Sequence, residues 1–290
     1  MRIDFRDDLN LELIAESGQC FRWVKVSTDD NPVTYRIIAG GRVLFISMPE
    51  KNVLDLSCSE NVFHSFWSAY LDSETNYGKI RKSVDRQDNF LMNAAEYGKG
   101  IRILCQDPWE CLISFIISQR KSIPAIRSGI EKLCEASGKK ISLNKEEKKW
   151  LKDHDISTSA GEGLYSFPSP RDIAGMTAEE LNSCSVGYRA PYIRKAAESI
   201  LSGEFDPESC APLNDNDLQA ELMKLYGVGK KVASCVALFG FHRLDFFPID
   251  VWIERVLARY YENVFPFDRY APYNGVMQQY MFFYGRSIRV

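Results

Sequence analysis

The sequence is poor in the residues that announce a metal centre or a disulfide framework. It holds only three histidines, and its eight cysteines (20, 58, 105, 111, 134, 184, 210 and 235) include no Cys-x-x-Cys pair. That scatter argues against zinc and against an iron–sulfur cluster, and it leaves the cysteines as buried free thiols of a reducing compartment. Long hydrophobic runs are missing as well. The longest, Cys111 to Ile117 broken by Ser114, falls far short of the ~20 residues that a membrane span needs. Met1-Arg-Ile-Asp-Phe-Arg-Asp7 contains no apolar signal core, so a cytoplasmic protein without membrane attachment is expected. There is no repeat, low-complexity tract or long linker. Positive charge is not in excess either: the formal net charge is −3. Lys and Arg at phosphates supply most non-specific affinity for nucleic acid, so any such binding must come from a local basic face. Candidates are Arg120-Lys121, Arg127, Arg189, Arg194-Lys195 and Lys230-Lys231.

What is present is an ordinary globular composition, 45% hydrophobic and 26% charged over 290 residues, enough for two domains and a large core. Residues 19–48 alternate as strands do: Phe21 to Val26, Val33 to Ile38 and Arg42 to Ser47, with Ala39-Gly-Gly41 as a hairpin turn. Val62, Phe63, Phe66, Trp67, Tyr70 and Leu71 recur at helical spacing and are expected to cover that sheet. His64 lies in this helix with no partner histidine and reads as a surface or packing residue. From about residue 74 everything long is helical, including a pair of helices interrupted at Ser118 to Pro124. Asn144 to Asp155 carries mixed charges and reads as a solvated helix face, and Ser157 to Pro170 as a loop. The expected fold class is α+β, with a small antiparallel β-rich N-terminal domain (1–98) packed on a larger all-α body (99–290) and a cleft between them.

The chemistry points to Leu225-Tyr-Gly-Val-Gly-Lys-Lys-Val-Ala-Ser-Cys-Val236. Gly227 and Gly229 bracket one apolar residue where one helical pattern (Leu218, Leu222, Leu225) stops and another (Val232, Val236, Phe239) starts, so the chain turns tightly there. A glycine turn that opens a helix presents free backbone N–H groups, a natural seat for a phosphate, although a plain helix–turn–helix junction reads the same way. At about 100° per residue, Lys230 falls nearly opposite the apolar face of Val232, Cys235, Val236 and Phe239, whereas Lys231 falls at its rim. Lys230 is therefore expected in solvent. Lys231 is expected to lean over a cleft, partly desolvated, which favours the neutral amine that nucleophilic catalysis requires. Asp250, in Phe246-Phe-Pro-Ile-Asp-Val-Trp252, is both a good N-cap for the next helix and a carboxylate in an apolar setting. An amine and a carboxylate facing one cleft can stabilise a cationic sugar transition state and then shuttle protons.

Gly227-Val-Gly-Lys-Lys-Val-Ala233 with Asp250 resembles the helix–hairpin–helix, Gly/Pro-rich loop and aspartate signature of base-excision DNA glycosylases. Ser17-Gly-Gln-Cys-Phe-Arg-Trp23, Ile103-Leu-Cys-Gln-Asp-Pro-Trp-Glu-Cys-Leu-Ile-Ser-Phe115 and Gly187-Tyr-Arg-Ala-Pro-Tyr192 are similar to the 8-oxoguanine DNA glycosylase family. Four motifs in the family's order cover nearly the whole chain. The resemblance implies a glycosylase and abasic-site lyase acting as a monomer on double-stranded DNA that contains a damaged purine. It implies Lys231 as the amine that attacks the sugar C1′ and Asp250 as the carboxylate that stabilises the developing charge. Cys235 and Phe282 would sandwich the flipped base, Gln278 would read its Watson–Crick edge, and the Gly18 carbonyl would accept the N7–H that 8-oxoguanine has and guanine lacks. Taken alone, Phe282 also reads as core, Gly18 as a turn and Gln278 as a buried polar group in need of partners. Tyr188 and Arg189 would supply the wedge and a cytosine contact, with Gly227 and Gly229 on the phosphates. No cofactor and no side-chain metal ligand is implied, although the family's hairpin commonly holds a structural metal ion on backbone carbonyls.

Departures from the pattern concern the opposite base. Arg120-Lys121-Ser122 stand where the family often has an asparagine run, Ala125 where an arginine is common, and Trp252 where animal members have a histidine. Two rivals follow. One is a glycosylase of the same superfold for an alkylated purine, against which Lys231 argues, because monofunctional members lack that amine. The other is a non-catalytic DNA-binding module, which the Lys231–Asp250 pair disfavours.

Overall fold

The computed structural model of the protein describes residues 1–27 and 32–290. The N-terminal part is a five-stranded antiparallel sheet of β1 (Arg2–Asp4), β2 (Trp23–Lys25), β3 (Thr34–Ala39), β4 (Arg42–Glu50) and β5 (Val53–Leu56), in the spatial order β1-β5-β4-β3-β2. The β3–β4 hairpin closes through Gly40 and Gly41, both at positive φ (55° and 70°), as its two-residue turn requires. The expected strands are β2, β3 and β4, which lie at one side of the sheet. The other two, β1 and β5, are three and four residues long and give too few alternations to register in the sequence. The covering helix is real, but it contains a π-helical turn, Phe63–Trp67, between Glu60–Val62 and Ser68–Tyr70. That turn points Phe63 and Trp67 inward onto the sheet.

The charged segment forms the helix Lys145–Asp153, capped at Asn144 by a reciprocal pair of bonds with Glu147. Its charged face is solvated as expected, while Trp150 stacks on Phe45 of β4, ring centroids 6.1 Å apart. In the helical body, Lys230–Phe239 runs through the centre, and every residue from Val232 to Phe239 is buried. A one-sided apolar face was expected there, but neighbouring helices enclose the segment all round.

The apolar cores part at a different place from the expected boundary at residue 98. Tyr77, Ile80, Phe90 and Leu91, on the helices Tyr77–Lys82 and Asn89–Tyr97, pack within the helical core rather than with the sheet. Arg102 joins the two parts. It is fully buried, donates to Asp7 Oδ2 at 2.8 Å and to the carbonyls of Asp8, Leu71, Asp72 and Thr75, and lies over the rings of Phe5 and Tyr77. A guanidinium is stable in such a place only because nearly all its donors are met. All eight cysteines are free, six of them buried. No helix among the described residues is long and apolar enough to cross a membrane.

Candidate active site

The helix Asp215–Lys224 ends just before the glycine turn. Gly227 has φ +84°, and a Cβ there would stand 2.3 Å from Cγ of Tyr192, so the tyrosine ring lies flat where any other residue would carry a side chain. Gly229 differs. Its φ is −93°, it is the N-cap of Lys230–Phe239 with no side-chain cap, and nothing lies within 4 Å of the Cβ position. The first N–H groups of this central helix therefore open outward with free space before them, which suits an anion.

Lys230 is exposed and Lys231 half-buried, the division that the 100° spacing requires. Nζ of Lys231 sits 5.2 Å from the ring centroid of Phe115, and Cys235 lies one turn further along the same helix. Burial pushes the Cys235 thiol up, with the Lys231 charge pulling the other way, so at neutral pH it stays a neutral, polarisable surface. Asp250 caps Val251–Tyr260 with one oxygen: Oδ1 accepts from Trp252 N at 3.1 Å and from Ile253 N at 3.0 Å, leaving Oδ2 unused by the cap.

Lys231, Asp250, Cys235, Gln278, Phe282 and Gly18 line one cavity of about 50 Å³ at the seam between the sheet part and the helical body. Six residues spread from 18 to 282 converge there. Gln278 is buried, and its Nε2 donates to the Pro248 carbonyl at 3.0 Å. Because that carbonyl can only accept, the orientation of the amide is fixed and Oε1 is left buried with no partner. A buried acceptor without a donor is rare, and here it belongs to a residue that lines the cavity. Phe282 leans on Gly18: its Cε1 would lie 3.2 Å from a Cβ at that position, where φ is +78°. Small-molecule sites run to hundreds of Å³, so the cavity with the Phe282 ring against Gly18 is smaller than a nucleobase site needs.

Known proteins resemble the chain over its whole length. Residues 2–112 match the model of the 8-oxoguanine DNA glycosylase N-terminal domain, and residues 113–263 match that of the HhH-GPD superfamily of base excision DNA repair proteins. A solved structure of MBOgg1 with a low-affinity DNA ligand is 33% identical, with a TM-score of 0.87, covering 100% of this chain and 96% of the other. The 8-oxoguanine glycosylase/lyase of Clostridium acetobutylicum, solved with DNA containing cytosine opposite 8-oxoguanine, is 30% identical with a TM-score of 0.85, over 100% and 99% of the two chains. The chain belongs to the 8-oxoguanine DNA glycosylase family. Among curated proteins, a probable N-glycosylase/DNA lyase of Methanothermobacter thermautotrophicus is 32% identical over 191 residues, 59% of this chain and 56% of its own. The chain spans about half the length of the curated relatives it matches.

Around the cavity of this family member, three segments meet beside the hairpin. Gln119 donates from Nε2 to the Gly227 carbonyl at 3.1 Å, and its own carbonyl accepts from Nη2 of Arg189. Lys121 reaches the Ser185 carbonyl. Tyr188 is 53% exposed and stacks on the Arg189 guanidinium, whose Cζ is 4.2 Å from the ring centroid. Arg189 itself is buried, and Nη1 donates to Val186 O. Arg120 is exposed, with φ +52°. Thus Arg120, Lys121, Arg189 and Lys230 stand on the segments that meet at the hairpin. Arg127 pairs with Glu16 and the Ala15 carbonyl, Arg194 holds the carbonyls of Ala174 and Met176, and Lys195 pairs with Glu198. Two participants escaped the sequence: Phe115 under the Lys231 amine, hidden in an apolar run, and Gln119, whose partners lie 70 and 108 residues away.

Proposed function

We propose that this protein excises 8-oxoguanine from duplex DNA and then cleaves the strand at the abasic site, acting as a monomer in the cytoplasm and without a cofactor. The observation that carries this reading is the convergence of three groups on one cavity: the half-buried Lys231 amine, Asp250 with one oxygen uncommitted, and the unpartnered Oε1 of Gln278. Oε1 suits the N1–H and N2–H₂ donors of a guanine-type edge and repels the N1 lone pair of adenine. Cys235 and Phe282 form the two faces against which the base stacks.

In the reaction, Nζ of neutral Lys231 forms a bond to C1′ while the C1′–N9 bond breaks, and the electron pair leaves with the base. Asp250 offsets the positive charge that develops on the sugar. The attached nitrogen loses one proton, the C1′–O4′ bond opens with O4′ taking a proton, and the nitrogen lone pair completes a protonated imine to C1′; a proton then leaves C2′, and the 3′ phosphate departs from C3′ by β-elimination. A structural ion at the hairpin would be held by backbone carbonyls, oxygen donors that suit a hard cation. The carbonyls of Leu225, Gly227 and Gly229 each accept one hydrogen bond and keep a second lone pair, so hairpin carbonyls would be able to hold it, and the ion would stiffen the turn without entering the chemistry.

The Lys231 amine also weighs against the alkylated-purine reading, since water activated by an aspartate needs no lysine in the cavity. The test is base release from duplexes carrying 8-oxoguanine, an alkylated purine or a normal guanine, each opposite cytosine. Release of 8-oxoguanine with strand cleavage is expected; release of the alkylated purine alone, without cleavage, would contradict the reading.

A further inference from the structure

Gly18 has no side chain with which to hold its own carbonyl in place, yet on the reading above that carbonyl distinguishes 8-oxoguanine from guanine. Its flanking peptides are clamped by two glutamines from elsewhere in the fold. Upstream, Gln279, 2% exposed, donates from Nε2 to the Ser17 carbonyl at 2.7 Å. Downstream, Gln106 donates from Nε2 to the Gln19 carbonyl at 2.8 Å. The Gln19 side chain, itself fully buried, crosses to the neighbouring segment: Nε2 donates to Arg102 O at 2.8 Å and Oε1 accepts from Leu104 N at 2.8 Å. The Gly18 carbonyl engages no donor among the described residues. Gln278 and Gln279 are consecutive on Asn274–Ser287 and hold two different walls of one cavity, Pro248 and Ser17.

We propose that Gln279 and Gln106 are positioning residues for lesion specificity: by fixing the Ser17–Gly18 and Gln19–Cys20 peptides, which flank the peptide that carries the Gly18 carbonyl, they aim that carbonyl at N7 of the flipped base. A carbonyl so aimed accepts N7–H of 8-oxoguanine and meets the N7 lone pair of guanine head on. Both effects depend on direction, because a hydrogen bond weakens steeply as its angle closes. Burying the Gln279 amide beside a glycine is stable only because a hydrogen bond offsets its desolvation. The amide donors of both glutamines go to backbone carbonyls, Ser17 O and Gln19 O, and not to Lys231 or Asp250, so the lysine chemistry is expected to proceed without them.

This inference rests on the 8-oxoguanine reading, and the experiment separates the two. Gln279→Met and Gln106→Met keep chain length and remove the donor. Each is placed in a Lys231→Gln background to measure affinity for duplexes with 8-oxoguanine or guanine opposite cytosine, and in the Lys231 background to measure cleavage of an abasic duplex. The expected result is a fall of about tenfold in the 8-oxoguanine-to-guanine affinity ratio, the weight of one neutral hydrogen bond, with abasic cleavage unchanged. An unchanged ratio in both variants would overturn the proposal, as would equal losses of ratio, abasic cleavage and thermal midpoint, which mark a merely structural role. Should Gln279→Met not fold, Gln106→Met decides alone, since Gln106 is only half-buried. A parent protein with no preference for 8-oxoguanine would instead defeat the functional reading itself.

Discussion

Asp250 gives Oδ1 to the N–H groups of Trp252 and Ile253 and leaves Oδ2 uncommitted, so capping and chemistry can be separated by substitution. Asn caps a helix about as well as Asp. Asp250→Asn should therefore keep the thermal midpoint while single-turnover base release falls about 10²-fold or more, the scale of losing one preorganised electrostatic partner. A parallel loss of midpoint and rate would make the residue structural only. Gly18→Ala is a second probe. Positive φ costs an L-residue about 1–2 kcal/mol, and the new methyl would meet Phe282 at 3.2 Å. Base release is expected to drop while cleavage of a preformed abasic site survives, as measured on the two duplexes side by side. The sequence offered both roles of Asp250 and could not choose between them, because nothing local says which oxygen a cap uses. Gln278 was visible as a polar residue on an apolar helix, but the Pro248 carbonyl that orients it lies 30 residues away and has no signature.

The loop between the helices Pro108–Ser118 and Ile123–Ser137, the loop around Tyr188 and the hairpin act together through Gln119. In this cluster the two arginines differ in kind. Arg189 donates to the carbonyls of Val186 and Gln119, bonds that fix its guanidinium and leave three of its five N–H donors, Nε–H among them, for an opposite base. Arg120 is exposed on a backbone at positive φ that a bulky residue adopts at a cost. We expect a preference for cytosine opposite the lesion, less strict than in members with the asparagine run. Arg189→Ala should lower it, one such contact being worth roughly 1–3 kcal/mol of discrimination. If Arg120 holds phosphate, Arg120→Ala should weaken binding to all four opposite bases alike and make the salt dependence shallower; if it reads the base, the preference should flatten instead. Excision rates on four duplexes at two salt concentrations decide between them. The hairpin was legible because glycines and a change of helical phase mark it. Its junction with the other loops was not, because hydrogen bonds to carbonyls leave no side-chain pattern.

Seen whole, the molecule depends on the seam that sets Gly18 against Phe282, and Arg102 is the buried tie across it. Arg102→Met should cost about 3–5 kcal/mol, since it removes the cationic partner of Asp7 and the donor to four carbonyls, read as a lowered denaturation midpoint. Burial alone would raise the Asp7 and Asp72 carboxyls, but hydrogen bonds outweigh it and hold both below the ordinary value of 3.8. For Asp7 the donors are Arg102 and the backbone N–H groups of Gly78 and Tyr77; for Asp72 they are His242, Tyr77 and Thr75. Their stabilisation is complete above the unfolded value and is lost as pH falls through the lower folded values. Stability should thus drop steeply below about pH 4, and Asp72→Asn should flatten that drop in midpoints measured from pH 5 to 3. The two-part α+β architecture was readable from the change of hydrophobic period. The true course of the seam was not, because helices over 77–97 look alike whichever core they join. The whole account meets its most direct trial in borohydride trapping on a duplex with 8-oxoguanine opposite cytosine, run with the wild type, Lys230→Gln and Lys231→Gln. Covalent complexes should form with the first two and not with the third; trapping that survives Lys231→Gln, or that Lys230→Gln abolishes as completely, would contradict it.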